Sequence, residues 1–469
     1  MNYQKTLRDR ASIRWAVLVL IALTMFFGYM FVDVMSPIES LVEKERGWEP
    51  GVFGTYAASE YILNVFGFLI LAGIILDKMG VRFTGMLSAS MMFIGATIKY
   101  IGLTDWFQTT ALADWLNSWW VSLPASAKMA SLGFMIFGCG CEMAGTTVSK
   151  AIAKWFKGKE IALAMGLEMA IARVGVFAIF SISPKIASRM GSVAAPVGFC
   201  TVLLLIGLIT FSVFTILDSK LDRQSGSASS EDAPEEEFKF SDILQIFSSR
   251  VFWIVALLCV LYYSAIFPFQ RYGANMLQCN LDGISPDAAS SIFRWFPVGA
   301  AAITPFLGIF LDRKGKGATM LIGGSFILIC CHLIFAFVLP GTKSTLLAYS
   351  TIVLLGISFA LVPAALWPSV PKIIDEKVLG SAYCLIFWVQ NIGLCLVPIL
   401  IGNLLESTNA SNAAVMAAKE AKSDFIPYDY TVPLVVFAGF GVLALLFALY
   451  LKALDRRKHY GLELPNIKK

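Results

Sequence analysis

Two ionisable residues stand where charge is least tolerated. Arg173 lies close to the middle of the apolar run 161–182, and Glu142 near the middle of 129–149. An ionised side chain at such depth costs several kcal/mol on most scales, about 2.5–3.5 by insertion measurements, so it marks a cavity, a partner or a path. A short basic loop joins the two runs, which makes them antiparallel neighbours with both residues at similar depth. A guanidinium grips a carboxylate in a bidentate fork, and a carboxylate takes an ammonium. Residue type and depth therefore point to a small molecule with an anionic group. A permanent Glu142–Arg173 salt bridge is the structural alternative.

A second set lies toward the opposite ends of the runs. Glu60 has Tyr56 and Asn64 one turn to either side, so the three share a helix face. Arg271 is late in the seventh run and Arg294 early in the eighth. One anion and two cations divided between the halves suit an ion-paired outer gate, with ordinary inter-helix contacts as the alternative. Gln390 and Asn391 take the places of Ala172 and Arg173 when Gly393 is aligned with Gly175, which makes them candidate hydrogen-bonders. Trp367 and Tyr263 are candidate cavity aromatics, in competition with core packing. Glu168 and Lys99 are expected near helix ends, stem buried and charge at the interface. The nine Cys form no CxxC pair and suit small apolar fillers, so no metal and no cofactor is expected. HExxH, GxSxG and P-loop patterns are absent, which argues against an enzyme.

The elements that must position these residues follow from composition. Hydrophobic residues make up 57% of the 469 and charged ones only 15%, against roughly 25% in soluble proteins. Lipid is the remaining solvent for such a surface. Apolar runs long enough to cross a bilayer lie near 15–35, 52–76, 84–101, 129–149, 161–182 and 194–216. Six more lie near 251–275, 288–311, 318–339, 346–369, 379–402 and 431–452. A Ser/Glu-rich linker, 218–246, separates the sixes and is expected to be flexible, with a short interfacial helix at 240–247. With the N-terminus cytoplasmic, 25 of the 37 Lys and Arg fall on that side and 7 on the other. This bias sets orientation and puts both termini in the cytoplasm. The loop 102–127 carries Trp106, Trp115, Trp119 and Trp120 and reads as an interfacial aromatic segment, or as a lid over a substrate mouth.

An internal repeat marks both halves. Gly73-Ile-Ile-Leu-Asp77-Lys-Met-Gly80-Val-Arg82 follows the second run, and Gly308-Ile-Phe-Leu-Asp312-Arg313-Lys-Gly315-Lys316 follows the eighth. In each, the first Gly permits close helix approach, the Asp caps a helix or pairs with a cation, and the basic loop sits at the headgroups. Parallel halves of this kind mark one class of secondary transporter, with the substrate at the midplane between them.

At these residues the chain resembles the major facilitator superfamily, along essentially its whole length. Three further stretches resemble the lysosomal dipeptide carrier branch of that superfamily (major facilitator superfamily domain-containing protein one) and its bacterial relatives. They are Lys154 to Gly175, Ala365 to Gly393, and Gly28-Tyr29-Met-Phe-Val-Asp33. The resemblance implies an all-α membrane protein of twelve transmembrane helices in two pseudo-symmetric halves, 1–217 and 247–469. It implies that Arg173 and Glu142 line the substrate cavity, that the substrate is a dipeptide, and that transport is uniport by rocker-switch alternating access. A proton-coupled carrier of other small organic anions, with Glu60 as the proton site, is the alternative. Animal members carry an acidic-dileucine sorting signal and work with a glycosylated partner. No such signal precedes Arg14, so a multi-pass protein of a bacterial inner membrane is expected. The expected partners are a small-molecule substrate and the bilayer, with no nucleic acid. Nothing in the sequence demands more than a monomer.

Overall fold

The computed structural model describes residues 6–157, 159–225, 246–374 and 378–465. Among them every regular element is helical and no strand occurs. Among the described residues eleven segments are long and apolar enough to cross a membrane. One of these, Pro50–Leu103, runs 54 residues, far more than the roughly 20 a bilayer requires. It is broken at Gly80, whose φ of 74° lies outside any helix, and so it holds two spans. The chain is thus a twelve-span, multi-pass integral membrane protein.

The elements of the first half are α1 (Ala11–Val32), α2 (Glu39–Arg46), α3 (Pro50–Leu63), α4 (Leu69–Leu103), α5 (Asp105–Gln108), α6 (Ala111–Asn117), α7 (Ala125–Trp155), α8 (Ile161–Met190) and α9 (Ala194–Ser225). Those of the second are α10 (Arg250–Asn280), α11 (Pro286–Phe293), α12 (Trp295–Lys314), α13 (Gly317–Leu333), α14 (Thr345–Ile373), α15 (Leu379–Asn409), α16 (Ala413–Glu420) and α17 (Thr431–Lys458). The sixth span outlasts its apolar run: α9 continues to Ser225, so the linker begins later than 218. Asp218 and Asp222 are paired there with Lys154, which anchors the extra turns. Residues 226–245 lie outside the described residues, and with them most of the interfacial helix expected at 240–247.

The helices gather into two compact units. The first holds Met1–Val34, Ser59–Ile179 and Met190–Glu237. Its centre is the α4–α7 pair, whose backbones touch because neither helix carries a side chain at the crossing. A Cβ on Gly95 would lie 2.4 Å from the Gly133 carbonyl oxygen, and one on Gly133 the same distance from that of Gly95. Lys99 is one turn further on. It is fully buried, its Nζ 4.2 Å from the Phe31 ring centroid and 4.3 Å from that of Phe134. This corrects the expectation of a helix-end lysine reaching the interface: two aromatic faces from α1 and α7 attract the cation inside the bundle.

The second unit holds Met35–Ala58, Phe180–Arg189 and Phe238–Lys469. Within it the start of α3 packs on α10 and α15 through paired glycines. A Cβ on Gly54 would meet the Pro398 carbonyl oxygen at 2.3 Å, and one on Gly402 that of Pro50 at 2.2 Å. The Tyr272 hydroxyl lies 3.1 Å from Pro50 O and 3.2 Å from Pro398 O, a donor shared by both helices.

The two repeated loops are held differently. In the first unit Asp77 pairs with Lys150 at 2.7 Å, and Arg82 reaches Asp218 (3.7 Å) and Asp222 (3.2 Å) on α9. Buried Asp218 also accepts from the Trp155 indole N–H (2.9 Å) and Lys154 (2.8 Å). In the second unit the chain turns back after α17 and lays Gly461–Leu464 along the loop. Lys316 N and Gly317 N donate to the carbonyls of Glu463 and Leu462 at 3.1 and 3.0 Å. The Glu463 carboxylate accepts from Thr319 N at 2.8 Å. Gly73 and Gly308, expected to let helices approach, have no atom within 4 Å of an added Cβ. Their helix faces are open in this conformation, so neither is a packing contact here.

Candidate functional site

In the first unit the tertiary structure brings the deep charges together around Tyr29 of α1. That hydroxyl lies within electrostatic reach of Glu142 on α7 and of Glu168 and Arg173 on α8. Cys141 of α7 is within reach of both Glu142 and Glu60. Glu60 itself is buried against α7, because Gly138 has no side chain there: an added Cβ would lie 2.1 Å from the Glu60 carbonyl oxygen. Glu142, Glu168 and Arg173 thus each reach Tyr29, and Glu60 reaches the neighbouring Cys141.

Asn64 is also in this unit, at the turn where α3 opens into a five-residue π-helical stretch, Asn64–Phe68. It is 1% exposed, and neither its Oδ1 nor its Nδ2 has a hydrogen-bond partner among the described residues. A buried polar group left unsatisfied costs about 1–3 kcal/mol. π-Stretches of this sort occur often at functional sites.

The second unit holds the other candidates. Trp367 of α14 donates its indole N–H to the Tyr263 hydroxyl on α10 at 3.3 Å. Its ring stacks on Phe387 of α15 at 4.7 Å, and its carbonyl accepts from the Tyr383 hydroxyl at 3.0 Å. Asn391 donates to the Phe387 carbonyl at 2.9 Å, while its Oδ1 is buried with no partner among the described residues. Gln390 accepts from the Cys259 thiol at 3.4 Å. Gly393 lets α15 sit this close to α10, since an added Cβ would meet Ser264 Oγ at 2.5 Å.

Arg271 is buried on α10, while Arg294 occupies the break between α11 and α12 and donates to Ser181 Oγ at 3.3 Å. Tyr56 falls in this unit too. It packs against Trp48 (5.2 Å) and Phe53 (5.7 Å).

Sequence reasoning did not single out Tyr29 or Glu168 beside Arg173 and Glu142. Tyr29 was visible in the first apolar run but carries no charge to stand out. Glu168, expected at a helix end, stands two turns inside α8 and half-buried. Tyr383 and Phe387 were equally unsignalled, because aromatics make up 13% of the chain.

The sequence profile of the Major Facilitator Superfamily matches residues 18–398. The lysosomal dipeptide transporter MFSD1 of Homo sapiens is 26% identical over 413 residues, covering 85% of this chain and 81% of the relative. A bacterial homologue of the human lysosomal transporter Spinster, inward-facing and unoccupied, superposes with a TM-score of 0.67 at 15% identity. That match covers 95% of this chain and 98% of the other. A D-xylose–proton symporter superposes with a TM-score of 0.65 at 15% identity, over 92% and 97% of the two chains.

Proposed function

We propose that this chain, which belongs to the major facilitator superfamily, carries dipeptides across a membrane by rocker-switch alternating access, as a uniporter. Membership makes it a transporter and not an enzyme. The observation that carries the reading is the grouping of Arg173, Glu142, Glu168 and Tyr29 in the first unit. A free dipeptide is a zwitterion: the guanidinium takes its carboxylate as a fork, and a glutamate takes its ammonium. The excess of carboxylates disfavours a substrate without an amine. Asn64, buried in the first unit with both amide atoms unsatisfied among the described residues, suits hydrogen bonding to a peptide group, which offers one donor and one acceptor. The relatives named as dipeptide transporters, 26% identical, agree with this substrate class. Arg271 and Arg294 in the second unit keep one competing reading, a proton-coupled carrier of small organic anions.

The orientation follows the Lys and Arg bias: both termini cytoplasmic, in a cell membrane, with halves 1–217 and 247–469 rocking about the site. Counterflow of a labelled dipeptide in proteoliposomes tests the proposal. Wild type exchanges the label without an imposed proton gradient, and Arg173→Ala and Glu142→Gln each abolish exchange. Undiminished exchange by both variants sinks the site assignment. Exchange of monocarboxylates in place of dipeptides, driven by a proton gradient, replaces the reading with the anion carrier.

A further inference from the structure

The segment joining α4 to α7 takes no part in the proposed binding site, yet it is well built. Thr104 and Thr110 cap α5 and α6, their hydroxyls accepting from Phe107 N and Ala113 N at 3.3 Å. Asn117 Oδ1 accepts from Ala125 N at 2.8 Å, tying the segment to the start of α7. Lys128 turns back beneath it, its ammonium donating to the Leu116 and Trp119 carbonyls and facing the Trp119 ring. One side is packed: Phe107, Ala113 and Ala125 form a buried cluster with Ile101, Leu116 and Met129.

The other side is bare. Trp106 is 69% exposed, Trp115 60% and Val121 81%, and Leu112, Trp119 and Trp120 are exposed beside them. Leu112 and Trp115, at i and i+3, share one face of α6, and Trp119 follows just past the helix end. The Trp115 and Trp119 rings meet edge-on at 5.9 Å.

We propose that this platform lies flat in the membrane interface, its exposed tryptophans seated among zwitterionic lipid headgroups. Three observations commit it to lipid. Both ends run directly into membrane spans, α4 ending at Leu103 and α7 starting at Ala125, so the platform stays at the bilayer surface. Indole combines a large apolar body with one N–H donor, which suits a zone apolar on one side and wet on the other. Charge selects the headgroup: residues 104–127 contain no Lys or Arg, and Asp105 and Asp114 are both exposed. An anionic surface repels those carboxylates, whereas a zwitterionic one does not. This inference does not rest on the dipeptide reading.

The test is tryptophan emission from the full chain in phosphatidylcholine vesicles whose lipids are brominated in the upper acyl chain. Subtracting the emission of the quadruple variant W106F/W115F/W119F/W120F isolates the platform. The expected result is loss of most of that emission in brominated vesicles, shielding from aqueous acrylamide, and no further loss when phosphatidylglycerol is added. W115F alone supplies the same difference, at lower amplitude, where the quadruple variant does not fold. Platform emission open to acrylamide and untouched by bromine overturns the proposal in favour of a lid. Shielding that appears only at high protein density overturns it in favour of a second copy of the chain.

Discussion

The loops at 77–84 and 312–319 share one sequence pattern and are held by opposite means. In the first unit the holding carboxylates, Asp218 and Asp222, stand in the last turns of α9. Asp218 is buried and serves Trp155 and Lys154 as well as Arg82, so the loop is tied into the bundle's own framework. In the second unit the carboxylate belongs to Glu463, on a short non-helical strap beyond the end of α17. The strap holds by backbone hydrogen bonds and one partly exposed side chain. A buried charge shared by several donors is hard to release, because any step away from them strands it. A strap at the surface can peel away, since water replaces each bond it loses. Two copies of one motif are thus held by a fixed latch of buried carboxylate in one unit and by a surface strap in the other.

Breaking the fixed latch should have the largest effect. Asp218→Ala removes the acceptor of the buried Trp155 indole and leaves Lys154 and Arg82 with Asp222 alone, at about 1–3 kcal/mol for the stranded N–H plus up to ~1 for each solvent-screened ion pair. Thermal unfolding of the purified protein should fall by several degrees; an unchanged midpoint would show that α9 does not hold the loop.

The glycines sharpen the contrast. Gly80 and Gly315 both have positive φ, 74° and 72°. Around Gly80 there is open space, so Gly80→Ala should cost about 1–3 kcal/mol from backbone strain alone. A Cβ at Gly315 would meet the Glu463 carbonyl oxygen at 2.5 Å, so Gly315→Ala adds displacement of the strap. Hydrogen exchange at Lys316, Gly317 and Thr319 amides should rise in Gly315→Ala and stay unchanged in Gly80→Ala; equal protection in both would remove the distinction. Smallest of all should be Glu463→Gln. It keeps an acceptor for Thr319 and loses only ion pairs with Lys316 (3.6 Å) and Lys452 (3.9 Å), about 0.5 kcal/mol for half-exposed groups. A shift as large as that of Asp218→Ala would mean that the strap holds through charge and not through its backbone.

Arg173 and Glu142 could be singled out without coordinates, because a charge inside an apolar run breaks a pattern that covers most of the chain. Tyr29 could not, since a tyrosine among apolar residues breaks no pattern. Its place beside Arg173, Glu142 and Glu168 needs α1, α7 and α8 to be packed. Lys99 misled for a related reason: the rings that hold it, Phe31 and Phe134, are distant in the chain and unremarkable locally. The grip of Glu463 on Thr319 spans 144 positions, with no periodicity in the tail to announce it.

Solvent and chain chemistry decided the first layer of this protein. The number of spans and the matched loops follow from what a bilayer demands of each stretch of backbone, and that demand is local, about 20 residues at a time. Which charges meet, which glycines touch and how each loop is held were decided only when helices packed. Those outcomes depend on distances between residues far apart in the chain, and no local rule contains them.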